Sequence, residues 1–390
     1  MNTKADNKIE DIIRVAKILS LKTQKNRSNN IPSLPKEISF KITTRCNFRC
    51  KHCYLWNKNG YYRQFDRNDI SRDIDLEIID KVLFDTRESN AAIIISGGEP
   101  LFHNKWYDIV EILLKYNRKI SLFTNGFYIN KHIEQLLKIS KNLNIVISID
   151  GIAPEHDNIR GKNTFSRIIQ NIRLLSDFKK KNIFPGNITI NSFLSNELAL
   201  NLSEYIQFVN TLKPDKLFLN FPWFIGASDT IKMDNFYTDN FSGIYDRPLP
   251  YIPSWHTFTY QLTPDCLRNA RSVLKSYREM VLKNGIRINP YSEYRRIIGD
   301  NLPGYSMLSH IPVFCVAVTK TMIVQSDGMV TACTAFPELE IEPVGRNDVK
   351  DIWNSEKYNS IRKILYESVW PGTACLKCPF LSSNFYNLLI

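Results

Sequence analysis

An α/β fold built round a parallel sheet is what this sequence predicts, and three observations predict it. Six short apolar runs of strand length recur between residues 38 and 220. Helical periodicity fills the gaps between them, the alternation that sets parallel strands side by side with crossover helices. The runs are apolar at successive positions, as strands covered on both faces require. Periodicity alone allows an open doubly wound sheet or a closed barrel, and both place ligands at the C-terminal strand ends.

Composition narrows the class. The chain has 390 residues, 43% hydrophobic and 12% aromatic, enough for one large core and a smaller module. No apolar run approaches the ~20 residues of a membrane span, and the first residues lack a signal-peptide apolar core, so a cytoplasmic location is expected. Seven of the eight cysteines cluster by motif, which suits metal ligation in a reducing compartment better than a disulfide framework. The formal net charge of +12 is spread along a chain rich in Lys, Asn and Ile. A nucleic-acid partner is not expected.

In chain order, residues 1–36 carry eight Lys/Arg against three Asp/Glu, with Ile9, Ile12, Ile13, Ala16, Ile18 and Leu19 at helical spacing. They read as a basic helix and linker. A domain over 37–222 opens on a strand Ile38–Ile42, whose apolar–polar alternation is plain. A cysteine-rich loop, a helix Leu76–Arg87, a strand Ala91–Ile95 and a helix Trp106–Tyr116 follow. Further strands are Ile120–Phe123, Asn144–Ile149, Asn187–Phe193 and Lys216–Asn220, with helices Phe165–Asp177 and Leu200–Asn210 among them.

Residues 223–309 read as a lid or connector. The stretch 221–260 has eleven aromatics and four prolines and no surviving period. It is too apolar for a solvated linker, so it covers the mouth of the sheet or packs between domains. A helix Pro264–Lys283 follows, with Thr263 as cap and Gly285 beyond its end. It carries Cys266, a small buried hydrophobe or a hydrogen-atom donor to a substrate radical.

The last domain, 310–390, returns to cysteine. Cys315 and Cys333 flank a hairpin of Thr321–Val324 and Met329–Thr331 around Ser326-Asp327-Gly328, which would set them at opposite ends of a ribbon. Cys375 and Cys378 come later. Four thiolates suit either a tetrahedral zinc ion or one fully ligated 4Fe–4S cube.

The chemistry-bearing residues fall at the predicted strand ends. Cys46, Cys50 and Cys53 lie in the loop after the first strand, with His52 beside the last. Three thiolates can wrap one face of a 4Fe–4S cube and leave one iron open, and a zinc knuckle is the plainer alternative. The second end is Ser96-Gly97-Gly98-Glu99-Pro100. Its glycine pair lets backbone approach a ligand, and its carboxylate can accept from an ammonium group. Thr124-Asn125-Gly126 and Ser148-Ile149-Asp150-Gly151 are suited to hydroxyls, or are turn chemistry alone.

The spacing Cys46-x3-Cys50-x-His52-Cys53, followed by Gly97-Gly98-Glu99-Pro100, resembles the signature of the radical S-adenosylmethionine (SAM) enzymes. The resemblance implies a partial (β/α)6 barrel in which the three cysteines hold a 4Fe–4S cluster whose open iron takes SAM. It assigns His52, Gly97, Gly98 and Glu99 to SAM binding, the last three at its amino group. Ser148 and Asp150 fall to the ribose side, with Thr124 and Asn125 nearby. The run His156-Asp157-Asn158-Ile159-Arg160-Gly161 resembles the subgroup with C-terminal auxiliary clusters, where the arginine pairs with the SAM carboxylate.

Cys315, Cys333, Cys375 and Cys378, with Gly345-Arg346-Asn347, Ile352-Trp353-Asn354 and Ile361-Arg362 between them, resemble the twitch domain. This is the shortened SPASM domain with one auxiliary 4Fe–4S cluster. Only twelve residues and no cysteine follow Cys378, so a second auxiliary cluster is not expected.

The implied activity is reductive cleavage of SAM to a 5′-deoxyadenosyl radical, which takes a hydrogen atom from a natural-product small molecule or a peptide. A net oxidation follows, with the auxiliary cluster as electron acceptor and a flavodoxin- or ferredoxin-type protein as electron donor. An epimerase using Cys266 and a non-catalytic metal scaffold are the competing readings. Asp234, Asp239, Asp246, Glu293 and Tyr294 are equal candidates for the general base.

Overall fold

The computed structural model describes residues 31–66, 70–245, 249–276, 286–289, 315, 317–345, 347–367, 372–376 and 378. The expected N-terminal helix, Asp246, Gly285, Glu293, Tyr294 and Arg346 lie outside them.

Among the described residues ten strands form one sheet: β1 Glu37–Thr43, β2 Ala92–Gly97, β3 Ile120–Thr124, β4 Leu143–Ser148, β5 Asn187–Phe193, β6 Lys216–Asn220, β7 Ile286–Asn289, β8 Thr321–Val324, β9 Met329–Thr331 and β10 Glu340–Pro343. Their spatial order is β10-β9-β8-β1-β2-β3-β4-β5-β6-β7. From β8 across to β7 every pairing is parallel. This is a partial α/β barrel with a C-terminal hairpin continuing its sheet.

The six predicted strands are present, and the sheet is wider than predicted. The connector contributes β7, a four-residue strand too short to announce itself. The C-terminal hairpin joins the free side of β1 in the register Glu37↔Thr321, a pairing across the whole chain that no local pattern could signal. The hairpin register Ile323↔Thr331 also corrects the placement of Cys315 and Cys333. Antiparallel strands bring the start of one beside the end of the next, so both cysteines lie at the same open end.

The first half has α1 Leu76–Asp85, α2 Trp106–Tyr116, α3 Ile133–Lys138, α4 Glu155–Arg160 and α5 Phe165–Lys180. Helices α1, α2 and α5 follow the predicted periods, and the six-residue α3 and α4 are additions to them. Helix α2 buries Trp106, Ile109, Val110 and Leu113, one stripe at helical spacing, and ends on Asn117 in the left-handed region. Helix α5 is started by Asp157, whose Oδ1 accepts from the amides of Thr164 (3.0 Å) and Phe165 (2.8 Å).

The predicted helix Leu200–Asn210 is two, α6 Asn196–Leu200 and α7 Leu202–Leu212, broken at Asn201. Ser195 caps α6 through Leu198 N at 3.0 Å. The aromatic stretch, predicted to lack a period, holds α8 Ala227–Phe241. Its buried stripe of Thr230, Met233, Tyr237 and Phe241 is thin and set among polar residues, which hid it. Helix α9, Pro264–Ser276, begins where predicted.

Short helices α10 Ala317–Lys320 and α11 Val349–Trp353 precede α12 Glu356–Glu367 and α13 Thr373–Leu376. Arg362 of α12 is buried between the rings of Trp353 (4.3 Å) and Tyr358 (3.9 Å). It donates to Val318 O (3.0 Å), Trp353 O (2.7 Å) and Asn359 Oδ1 (2.8 Å). Removing the guanidinium strands buried carbonyls. Arg362→Met is therefore expected to lower unfolding free energy in urea by about 3 kcal/mol, and unchanged stability would show that the arginine contributes nothing net.

Candidate active site

The C-terminal ends of the parallel strands open on one cavity of about 360 Å3. Cys46, Cys50, His52 and Cys53 reach it from the loop after β1, and Ser96, Gly97 and Gly98 from β2 and its end. Thr124 and Asn125 follow from β3, Ser148 from β4, and Arg160 from the end of α4. An aromatic wall including Phe193, Phe221, Trp223, Phe258 and Tyr260 closes the rest. A separate cavity of about 330 Å3, lined by Tyr62, Arg72, Gln325 and Glu338 among others, has no thiol.

The glycine pair serves the chain before any ligand. A Cβ on Gly97 would collide with the Thr43 carbonyl, and one on Gly98 with the carbonyls of Thr44 and Arg45. Without side chains there, Gly98 N reaches Thr43 O at 2.7 Å and Glu99 N reaches Arg45 O at 2.8 Å. The cysteine loop is thereby laid against the end of β2.

Two of the predicted ligand carboxylates turn out to be internal braces. Glu99 is buried outside the cavity lining. It accepts from Leu101 N (3.0 Å), Thr124 Oγ1 (2.6 Å) and Asn125 N (2.7 Å), tying the end of β2 to that of β3. Burial pushes its carboxyl up to about 7, against the pull of those donors. Asn125 continues the tie, donating to Asn47 Oδ1 of the cysteine loop at 2.8 Å.

Asp150 is 0% exposed; it accepts from Arg160 Nε at 2.6 Å and from Phe193 N at 2.8 Å. Burial works against this carboxylate, yet Arg160, His52 and the Phe193 amide hold it below its ordinary value. Arg160 is the group that reaches the cavity, its Nη1 3.9 Å from Cys50 Sγ. Asp150 thus positions Arg160.

His52 lies flat on Phe193, ring centroids 4.0 Å apart. Burial lowers its pKa to about 4, so the ring is neutral, and its buried Nδ1 has no hydrogen-bond partner among the described residues. Trp223 Nε1 is likewise buried without a partner there. Each is a ring nitrogen free to meet a bound group.

The thiols test the implied cofactor. Burial pushes Cys50 up to about 12, against the pull of Arg160, and raises Cys46 and Cys53 as well. Bare thiolates are disfavoured there, so a ligand supplying cationic charge is what this donor set needs, and an iron–sulfur core fits. Cys315, Cys333, Cys375 and Cys378 are raised or gathered in the same way. After burial, the electrostatic neighbours of Cys375 are Cys333, Cys378 and Cys315. Among the described residues no three His, Cys, Asp or Glu side chains gather closely enough to hold one ion.

Other predicted residues fall elsewhere. Cys266 is buried on α9, its Sγ donating to Asn196 O at 3.4 Å, and does not line the cavity. Asp234 accepts from Trp255 Nε1 (2.7 Å) and His256 Nε2 (2.9 Å), and Asp239 is exposed. Neither lines the cavity, whose described lining holds no carboxylate. The 223–260 stretch does both predicted jobs: Trp223, Phe258 and Tyr260 wall the cavity, while Trp255 packs on Phe336 of the C-terminal part at 5.6 Å.

Comparison with known proteins gives two family matches. The model of the Radical SAM superfamily matches residues 40–195, and that of the SPASM iron-sulfur cluster-binding domain matches residues 315–379. The subtilosin biosynthesis protein AlbA of Bacillus subtilis is 33% identical over 153 residues, 38% of this chain and 32% of AlbA. The mycofactocin maturase MftC of Mycolicibacterium smegmatis is 26% identical over 141 residues, 36% of this chain and 34% of MftC. Each match spans about a third of the relative's length. Streptococcus suis SuiB, solved with its precursor peptide SuiA, superposes with a TM-score of 0.59 at 16% identity over 92% of this chain and 72% of that one. The structure of anSMEcpe with bound AdoMet gives 0.58 at 14% identity over 90% and 98%. At such identities the likeness is one of fold.

His156 offers a test of the site's packing. It is 0% exposed, its Nδ1 accepts from Asp150 N at 3.2 Å, and its Nε2 has no partner among the described residues. Burial lowers its pKa from 6.5 to about 4. A depressed folded value means stability present above pH 6.5 and lost as pH falls toward 4. The wild type should thus lose about 2 kcal/mol more than His156→Phe between pH 7 and pH 5. Parallel urea-denaturation curves across that range would show that the imidazole charges freely in the fold.

Proposed function

We propose, for a chain that joins a radical SAM domain to a SPASM-type iron–sulfur cluster-binding domain, an enzyme that oxidises a peptide or related natural product by hydrogen-atom abstraction. The observation that carries the proposal is the convergence of Cys46, Cys50, Cys53, Arg160 and the β2 to β4 ends on one aromatic-walled cavity. When bound, a 4Fe–4S cluster and SAM would supply one-electron cleavage to a 5′-deoxyadenosyl radical. The chain's own residues then have separable tasks.

Cys46, Cys50 and Cys53 would hold the cluster. Arg160, fixed by Asp150, presents a guanidinium fork suited to the SAM carboxylate. Gly97 and Gly98 expose backbone at the β2 end, and Glu99 holds that end to β3. Ser148 offers a hydroxyl to the cavity, where Thr124 and Asn125, tied to Glu99 and Asn47, shape the wall. The aromatic wall excludes water, which protects a reactive radical from side reactions. The name of AlbA and the peptide bound in the SuiB structure support a peptide substrate.

Two observations favour oxidation over epimerisation. Cys266 donates to Asn196 O and is not among the cavity's lining residues, which counts against it as hydrogen-atom donor. The second cysteine set supports an auxiliary 4Fe–4S cluster, a sink for the electron that an oxidation leaves over. The electron donor is proposed as a flavodoxin- or ferredoxin-type protein, and the location as the cytoplasm.

The decisive measurement is iron and sulfide content with Mössbauer spectra on anaerobically reconstituted protein. About eight irons are expected, falling to about four when Cys46, Cys50 and Cys53 are all changed to Ala, with 5′-deoxyadenosine formation abolished. About four irons falling to none, with zinc in the C-terminal set, would overturn the oxidative reading.

A further inference from the structure

Lys41 stands on β1 between Phe40 and Ile42, in the middle of the fold, and is 8% exposed. Its Nζ donates to the Tyr54 hydroxyl at 3.2 Å and to the Thr334 carbonyl. The Tyr54 hydroxyl also donates to Thr334 O, at 3.3 Å. Tyr54 directly follows Cys53, and Thr334 directly follows Cys333. One buried ammonium therefore joins the loop bearing the first cysteine set to the loop bearing the second.

The local charge balance is lopsided. Both hydrogen-bond acceptors of Lys41 are neutral groups, and a buried ammonium needs negative charge nearby. Its electrostatic neighbours are Cys333, Cys53 and Glu338. The Glu338 carboxylate is already engaged, accepting from Ser254 N (2.6 Å) and Ser254 Oγ (2.7 Å). Thiolate-ligated iron–sulfur clusters carry net negative charge, so they are the complement this cation fits. Cluster potentials follow local charge and hydrogen bonding, and a fixed cation in a low-dielectric interior favours the more negative, reduced form.

We propose that Lys41 is a bridging cation between two iron–sulfur sites, bonded to the loops of both and raising both reduction potentials. The proposal rests on the two-cluster reading above. It makes Lys41 a positioning residue, acting on the metal sites and not on substrate.

Potentiometric titration of reconstituted protein, followed by electron paramagnetic resonance of the reduced clusters, tests it on Lys41→Met, Lys41→Gln and Lys41→Arg. The neutral variants are expected to keep their iron while each cluster becomes harder to reduce, by tenfold or more in the one-electron equilibrium, which is about 59 mV. Lys41→Arg is expected to stay within threefold of the wild type. Wild-type potentials in either neutral variant would overturn the proposal. Should both neutral variants lose iron, retention in Lys41→Arg sustains the need for charge, and loss from all three overturns it by reducing Lys41 to packing. A wild type with one reducible centre would sink the two-cluster reading and the bridge together; two wild-type centres unmoved by the variants would sink the bridge alone.

Discussion

The position of β1 between β2 and β8 is the constraint on which the rest depends. On one side it pairs with β2 in the register Glu37↔Ala92, on the other with β8 in the register Glu37↔Thr321. The loop leaving its C-terminal end carries Cys46, Cys50 and Cys53, and the hairpin on its free edge carries Cys333 at its open end. The register sets the hairpin's open end beside the start of β1, and it is the loop after β9 that reaches the first cysteine loop, through Thr334 O on Lys41 and Tyr54.

Around that centre, buried carboxylates act as scaffolding. Glu99 gathers a hydroxyl and two amides from two strand ends, and Asp150 gathers Arg160 and the amide of Phe193. A carboxylate accepts several hydrogen bonds at once, which makes it a good knot where loops converge. The consequence is that positive and neutral groups face the cavity while negative ones stand behind them. Three thiolates and a SAM carboxylate would meet exactly one guanidinium there, already aligned by its buried partner.

Much of this was legible in the sequence because it is local. The cysteine spacing, the glycine pair and the strand-end dipeptides sit at turns whose chemistry is written in adjacent residues. Cys46, Cys50 and Cys53 line the cavity as the spacing suggested, whereas Cys315 and Cys333 lie at one end of their hairpin and not at opposite ends. What was hidden is long-range or two-sided. The pairing of β8 with β1 joins residues almost three hundred apart in sequence. In β1 the alternation Ile38-Ser39-Phe40-Lys41-Ile42 sets polar residues on one face, yet Ser39 and Lys41 are both buried, and the C-terminal part meets Lys41 through Thr334 O. A lysine in such a strand was the available signal, and it carries weight only once that contact is known. Glu99 and Asp150 were read as ligand contacts because a sequence shows which residue ends a strand but not which way its side chain turns.

The cavity's composition also limits the chemistry it can host. Its described lining has a guanidinium, a neutral imidazole and aromatic rings, with no carboxylate. Tyr54, which lines it, is held well above its ordinary value by burial, so it keeps its proton and cannot act as a base. Trp223, Phe258 and Tyr260 make the remainder of that wall apolar, with the Trp223 Nε1 as its buried donor without a partner among the described residues.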